Sequence, residues 1–230
     1  MVMTQTRKTA RAVSLYRNAE KHIRAAGFGW ELDWQRRRSF EALTEQDLLR
    51  ESAWVVLCSG FREAIVRNVF DYISLCFCDW ESAAEISRHQ RTCIDTAAWG
   101  FSNRRKLQAI ASIADLIHDH GFETLRNQLS EDPISRLQIF PFIGPTTSWH
   151  LAKNIGFNVA KNDRHLARLA LLHGFSDAHA LCELIAETTG EPLSVIDIVL
   201  WRFATLNPQP QRPQLDTGSR KSPIGAVVKI

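Results

Sequence analysis

The sequence has few cysteines, no long apolar run and no strand-like alternation, and each absence excludes a class of protein. The 230 residues include five cysteines, an odd number that argues against a disulfide framework. They are Cys58, Cys76, Cys78, Cys93 and Cys182. Cys76 and Cys78 stand in an apolar stretch without the spacing of a zinc knuckle, so we interpret them as buried thiols.

Membrane and secretory signals are also missing. No apolar run reaches the roughly 20 residues that a membrane-spanning helix needs, and we find no signal peptide. We therefore expect a soluble protein of the reducing cytoplasm. The net charge is only +3, which permits an anionic partner without requiring one.

Helical periodicity runs through most of the chain, and we find no repeat and no convincing strand, so the predicted fold class is all-α. Thr44 is predicted to cap a long helix that Gly60 divides in two. Residues 29–43 are predicted to form a less regular connector. From Asn207 onward the chain is rich in Pro, Gln and charge, which predicts a flexible tail over 207–230.

Acidic residues are almost absent between Pro133 and Phe175. The cations of this region are Arg136, Lys153, Lys161, Arg164 and Arg168, with His150, His165 and His173 beside them. Its single carboxylate is Asp163. A basic surface of this kind suggests a polyanionic partner, and nucleic acid is the usual one.

A tight turn stands inside this region. Gly144 has no Cβ, so its backbone can approach a partner closely. The next helix is predicted to begin at Pro145, Thr146 and Thr147, where its unpaired N–H groups can bind a phosphate. An ordinary corner between two helices explains the turn equally well.

Asp163 has two compatible interpretations. It is predicted to cap the helix that begins with Arg164. A carboxylate at a helix N-terminus among cations also keeps its charge, and it can stabilise a positive charge that develops on a sugar when a glycosidic bond breaks.

This stretch is similar to the core of the helix-hairpin-helix DNA glycosylases, the superfamily of endonuclease III, adenine glycosylase and alkyladenine glycosylase. The family pattern is a Leu-Pro-Gly-Ile-Gly hairpin, a helix, a loop and an Asp that precedes another helix. Here Phe140–Gly144 corresponds to the hairpin, residues 156–162 to the loop, and Asp163 to the acid. The resemblance covers about 43–205, with the helix-hairpin-helix unit at 136–155.

The resemblance implies a two-lobed helical fold over 1–206, with a cleft between the lobes. It implies Asp163 as the catalytic residue and double-stranded DNA with a flipped base as the partner of a monomeric, nucleoid-associated enzyme. It implies DNA-backbone contacts from Phe142, Ile143, Gly144, Pro145, Thr146, Thr147, Lys106, Lys153 and Arg164. A structural monovalent cation is expected at the hairpin, and no catalytic metal.

The base pocket implied by analogy contains Trp54, Cys58, Phe61, Trp99, His150 and His165. Each aromatic residue of this set could equally fill a core. Alkylated, oxidised, deaminated or hypermodified bases all remain open as substrates, in base excision repair or in defence against modified phage DNA.

Departures from the family pattern sharpen these expectations. Members that also cut the strand carry a Lys two residues after the second hairpin Gly, and Thr146 stands there instead. We therefore expect a monofunctional enzyme without lyase activity. The four-cysteine motif is absent, so no iron–sulfur cluster is expected. Phe142 replaces the first hairpin Gly, and the family's Gln pair is missing near Ser59–Arg62.

A second hypothesis is a non-catalytic helix-hairpin-helix module that only binds DNA. It explains the turn and the cations. It explains Asp163 less well, because a carboxylate weakens binding to phosphates.

Overall fold

The computed structural model describes residues 5–161 and 163–207, and within these ranges every regular element is helical. The predicted all-α class is therefore confirmed. The α-helices of the described residues are α1 (Gln5–Ala25), α2 (Gly29–Arg37), α3 (Glu45–Cys58), α4 (Glu63–Cys76), α5 (Ala83–Arg88), α6 (Gln90–Ala97), α7 (Arg104–His120), α8 (Phe122–Glu131), α9 (Pro133–Leu137), α10 (Thr147–Asn154), α11 (Arg164–Leu172), α12 (Ala178–Thr189) and α13 (Leu193–Leu206). Short 3-10 turns occur at Phe40–Ala42 and Cys78–Trp80.

Two hydrophobic cores organise these helices. The first core belongs to residues 43–155, with Leu48, Phe77 and Ile113 among its fully buried side chains. The second core joins α1 and α2 to α11, α12 and α13, through side chains such as Ile23 and Val199. The N-terminal helices α1 and α2 thus share one hydrophobic core with the C-terminal helices α11, α12 and α13. We refer to the two halves as the first lobe and the second lobe.

Local signals in the sequence set two helix boundaries. Thr44 and Asp47 form a reciprocal capping box, in which the Thr44 hydroxyl accepts from the Asp47 N–H at 3.1 Å. Gly60 adopts φ +76° between α3 and α4, a conformation that costs a glycine little. The predicted cap and the predicted break are both confirmed.

The segment 29–43 was predicted wrongly as an irregular connector. Residues Gly29–Arg37 form α2, and its buried side chains are Glu31, Leu32 and Gln35. Two of these three side chains are polar, so this segment lacks the apolar spacing that predicts a helix. The predicted flexible tail lies outside the described residues, apart from Asn207.

None of the helices in the described ranges is long and apolar enough to cross a lipid bilayer.

Gly156 fixes the start of the loop that leads from α10 to Asp163. Its φ is +105°, and a Cβ atom there would lie 2.4 Å from the backbone of both Ser39 and Phe40. The Phe40 and Phe157 rings stack beside this contact, with centroids 4.1 Å apart. The loop is therefore held directly against the segment that precedes α3.

We expect Gly156→Ala to lower the free energy of unfolding by about 3 kcal/mol or more, because backbone strain and overpacking each cost ~1–3 kcal/mol. Urea unfolding measures the loss. Gly174→Ala is the matched control, since Gly174 has φ +80° but no atom within 4 Å of an added Cβ. Its strain alone should cost about 1–2 kcal/mol. Equal losses in the two variants would contradict the close approach at residues 39–40.

Candidate active site

The hairpin turn (142–147) joins α9 to α10 and is anchored in the first core. Phe140 and Ile143 are buried, and the Ile143 N–H donates to the Phe140 carbonyl at 3.0 Å. Phe142 has φ +66°, a left-handed conformation that is unfavourable for a bulky side chain. The position keeps the backbone conformation suited to glycine while presenting a half-exposed phenyl ring. The turn thus forms with a bulky residue at its left-handed position.

The amide groups of the hairpin turn fall into two sets. Those of Ile143 and Gly144 bond within the protein, the second to the Thr147 hydroxyl at 2.7 Å. No acceptor in the described part of the chain receives the N–H of Thr146 or Thr147. The amides of Thr146 and Thr147, at the start of α10 beside exposed Pro145, can therefore bind an anion, and in these ranges the N–H of Phe142 has no acceptor either. The predicted phosphate contact at Ile143 does not fit, because its amide is used and its side chain is buried.

Asp163 divides its two carboxylate oxygens between two environments. Its Oδ1 accepts from the N–H of His165 at 2.8 Å and of Leu166 at 3.0 Å, which caps α11 as predicted. Its Oδ2 lies 3.7 Å from the Lys161 Nζ atom. The cap fixes the orientation of the carboxylate, so Oδ2 is the oxygen that can act on a bound molecule.

A buried polar cluster holds the segment before Asp163. The Lys153 ammonium forms an ion pair with Asp197 Oδ1, and both side chains are almost fully buried. Asp197 Oδ2 accepts from the backbone N–H of Lys161 at 2.7 Å. Gln35 donates to the Lys153 carbonyl at 3.1 Å. The cluster connects α10 of the first lobe to α2 and α13 of the second.

Lys106 and Lys153 do not fit their predicted contacts with DNA phosphates. Lys106 is 2% exposed, and its Nζ donates to backbone carbonyls at the end of α3, including that of Leu57 at 2.8 Å. Lys153 is 4% exposed and is neutralised by Asp197. Each ammonium is already satisfied inside the protein. Arg164, by contrast, is exposed at the first turn of α11 and remains a candidate phosphate contact.

Cys58 and His150 lie within electrostatic reach of Lys161. Burial lowers the pKa of His150 well below its usual range, and the charges of Lys161 and Lys153 lower it further. Its ring is therefore neutral at pH 7 and offers hydrogen bonds rather than a positive charge. Burial raises the pKa of Cys58 to about 12, so its thiol stays protonated. These two predicted pocket residues thus feel the charge of Lys161, which also pairs with Asp163.

The other predicted pocket residues are more scattered. Trp54 packs edge-to-face against Phe70, with ring centroids 5.1 Å apart. Phe61 is 39% exposed on the loop between α3 and α4, and His165 is partly exposed beside Asp163. Trp99 is 90% exposed, so it does not line a pocket and its predicted role does not fit.

Sequence reasoning missed an ion-pair network next to Trp54. The Arg202 guanidinium donates to Glu31 at 2.8 Å and to Glu63 at 2.7 Å. Arg67 also pairs with both carboxylates, and its guanidinium lies 5.3 Å from the Trp54 ring centroid. The members of this network come from α2, α4 and α13, so no local pattern in the sequence predicts it.

Two surface cavities lie elsewhere, one along α1 and one between α3 and α4 beside Trp80. Neither is lined by Asp163 or by a predicted pocket residue. Within the described ranges, no group of three or more His, Cys, Asp or Glu side chains is arranged to hold a metal ion.

Comparison with known proteins leaves the family open. No protein-family model and no curated protein matches the chain. Among solved structures, the chain is similar to the 8-oxoguanine glycosylase/lyase of Methanocaldococcus jannaschii, crystallised with a 15mer DNA containing 8-oxoguanine. The TM-score is 0.46 and the identity 16%, over 82% of this chain and 96% of that one.

The buried pair of Lys153 and Asp197 makes a stability prediction. Asp197→Asn leaves a buried ammonium without its anion and should lower the free energy of unfolding by about 3–5 kcal/mol. The matched double variant, Lys153→Met with Asp197→Leu, should recover most of that loss because no charge remains buried. Denaturant unfolding compares the three proteins. A loss below about 1 kcal/mol for Asp197→Asn would indicate a hydrated pair instead.

Proposed function

We propose that this chain is a DNA N-glycosylase, which hydrolyses the bond between a sugar and a damaged or modified base flipped out of the duplex. The product is an abasic site. The observation that carries the proposal is the position of Asp163. Its Oδ1 is held by the cap of α11, and its Oδ2 faces a partly buried basic group on the loop that follows the hairpin helix.

The chemistry needs an anion that is fixed and largely shielded from water. Departure of the base leaves an oxocarbenium-like sugar, whose positive charge a carboxylate stabilises. Asp163 is oriented before any substrate binds and its side chain is 11% exposed, so its charge acts through a medium of lower dielectric constant than water. In this mechanism Oδ2 also orients or deprotonates the attacking water.

The hairpin turn would hold one DNA phosphate through the free amides of Thr146 and Thr147, with Arg164 as a further contact. A monovalent cation at the hairpin remains part of the proposal. Thr146 gives the turn no amine, which supports water as the group that displaces the base. Flipping would deliver the nucleotide to Asp163, Cys58 and His150.

The base itself is a matter for experiment. His150 is neutral and Cys58 is protonated, so each can form hydrogen bonds with a base. Neither side chain carries a charge that would favour a charged base over a neutral one. Alkylated, oxidised, deaminated and hypermodified bases are all retained as candidates. A hypermodified base would indicate defence against modified phage DNA, and the other candidate bases would indicate repair.

We expect Asp163→Asn to reduce base release by a factor on the order of 10²–10³, as when a group that stabilises transition-state charge is lost. Asn is also a good N-cap, so the fold should be retained. The measurement is base release from duplexes carrying each candidate base, scored before and after alkali. Binding of those duplexes by the same two proteins is the control.

The second hypothesis, a module that binds DNA without catalysis, predicts the opposite result in this assay. No duplex would then lose a base with the wild-type protein, while DNA binding would persist and Asp163→Asn would leave it unchanged or stronger. Base release at equal rates by wild type and Asp163→Asn would remove Asp163 from the mechanism.

Arg164→Gln should weaken DNA binding uniformly across sequences and lower the slope of log K against log salt by about 1, because one phosphate contact is lost. Arg17→Gln, an exposed cation on α1, is the matched control and should keep the wild-type slope. Fluorescence anisotropy at several salt concentrations measures both. An unchanged slope for Arg164→Gln would place the DNA elsewhere on the surface.

A further inference from the structure

Lys161 is the basic group nearest to the proposed catalytic carboxylate, and the mechanism above gives it no task. Its Nζ lies 3.7 Å from Asp163 Oδ2, and its side chain is 19% exposed. The amine is therefore largely desolvated, yet a bound molecule can still reach it. Its backbone is fixed by the bond from its N–H to Asp197 at 2.7 Å.

The environment of Lys161 also favours a reactive amine. Burial lowers its pKa, and the charge of Lys153 acts in the same direction. Asp163, Asp197 and Cys58 oppose this effect, but the net pKa remains below that of an ordinary lysine. A larger fraction of uncharged, nucleophilic amine is therefore present near neutral pH. Lys106 and Lys153 lack this freedom, because internal acceptors hold their ammonium groups.

We propose that Lys161 is a catalytic amine that captures the abasic product and cuts the DNA strand beside it. This departs from the expectation of no lyase activity, which considered the hairpin position alone. The inference depends on the proposed glycosylase function, since the abasic sugar must lie against Asp163.

The chemistry balances without any further reagent. The abasic sugar opens to an aldehyde, and Lys161 Nζ adds to its C1′ carbon. The carbonyl oxygen leaves as water, which forms the imine between C1′ and Nζ. Asp163 Oδ2 then removes a C2′ proton, and the electron pair forms the C2′–C3′ double bond as the C3′–O3′ bond breaks. O3′ leaves on its phosphate, which becomes the 5′ end of the downstream strand. Water hydrolyses the imine, which frees Lys161 and releases an unsaturated aldehyde on the 3′ end of the upstream strand.

Borohydride trapping tests this step independently of the identity of the excised base. Full-length protein is mixed with a duplex carrying one abasic site, and borohydride reduces any imine to a stable secondary amine. Wild-type protein should form a covalent protein–DNA adduct, and mass spectrometry of its peptides should locate the adduct at Lys161. Lys161→Arg keeps the positive charge but removes the nucleophile, so trapping should fall at least ~100-fold. Lys21→Arg, on the exposed face of α1, is the matched control and should trap at the wild-type rate.

Binding of the abasic duplex is measured for each protein, so that a loss of trapping is separated from a loss of affinity. Wild-type rates of trapping in a Lys161→Arg protein that binds the duplex would overturn the proposal, as would an adduct mapped to another amine. Base release by wild type without any adduct would overturn it while leaving the glycosylase intact. Neither base release nor adduct would overturn the proposed function and this inference together.

Discussion

The arrangement around Asp163 depends on the buried ion pair between Lys153 and Asp197. Removing two charges from water costs several kcal/mol per ion, and only close contact in the interior offsets that cost. The hairpin helix α10 and the last helix α13 must therefore keep their relative position. Because Asp197 also accepts from the Lys161 amide, the same constraint extends to the segment that ends at Asp163.

A capping bond and the proposed catalytic charge belong to the same side chain, that of Asp163. An N-cap carboxylate usually has a structural role, and a catalytic one usually needs other groups to hold it in place. In the proposed mechanism Asp163 meets both needs, because the cap at Oδ1 orients the side chain and leaves Oδ2 facing Lys161. The helix dipole of α11 favours its negative charge. Little reorganisation is then required when a positive charge forms nearby, which is the condition for effective electrostatic catalysis.

Local signals in the sequence predicted the helical class, the capping box at Thr44, the break at Gly60 and the cap at Asp163. Each of these depends on residues within a few positions of one another. The burial of the Lys106 and Lys153 side chains could not be predicted from such local signals. The partner of Lys153 stands 44 positions later, and the acceptors of Lys106 stand about 50 positions earlier. A lysine that is buried with a distant partner looks the same in sequence as an exposed one.

Helix α2 was missed in the sequence for a related reason, since its buried polar residues also have distant partners. Its buried positions carry Glu31, which pairs with Arg202, and Gln35, whose Nε2 group donates to the Lys153 carbonyl. Polar residues at buried positions conceal the amphipathic pattern on which helix prediction depends.

The pairing of the first two helices with the last three has a consequence for how the protein is made. The buried side chains of the first core all lie within residues 43–155, with Phe40, Phe157 and Val159 packed against them, so this core can form before the last three helices are synthesised. The second core needs α1 and α13 together, a contact of high sequence separation that forms late in folding. Lys161 and Asp163 follow the first core in sequence and depend on Asp197 of α13. During synthesis, the turn at 142–147 would therefore be complete before the segment that ends at Asp163 is held in place by α13.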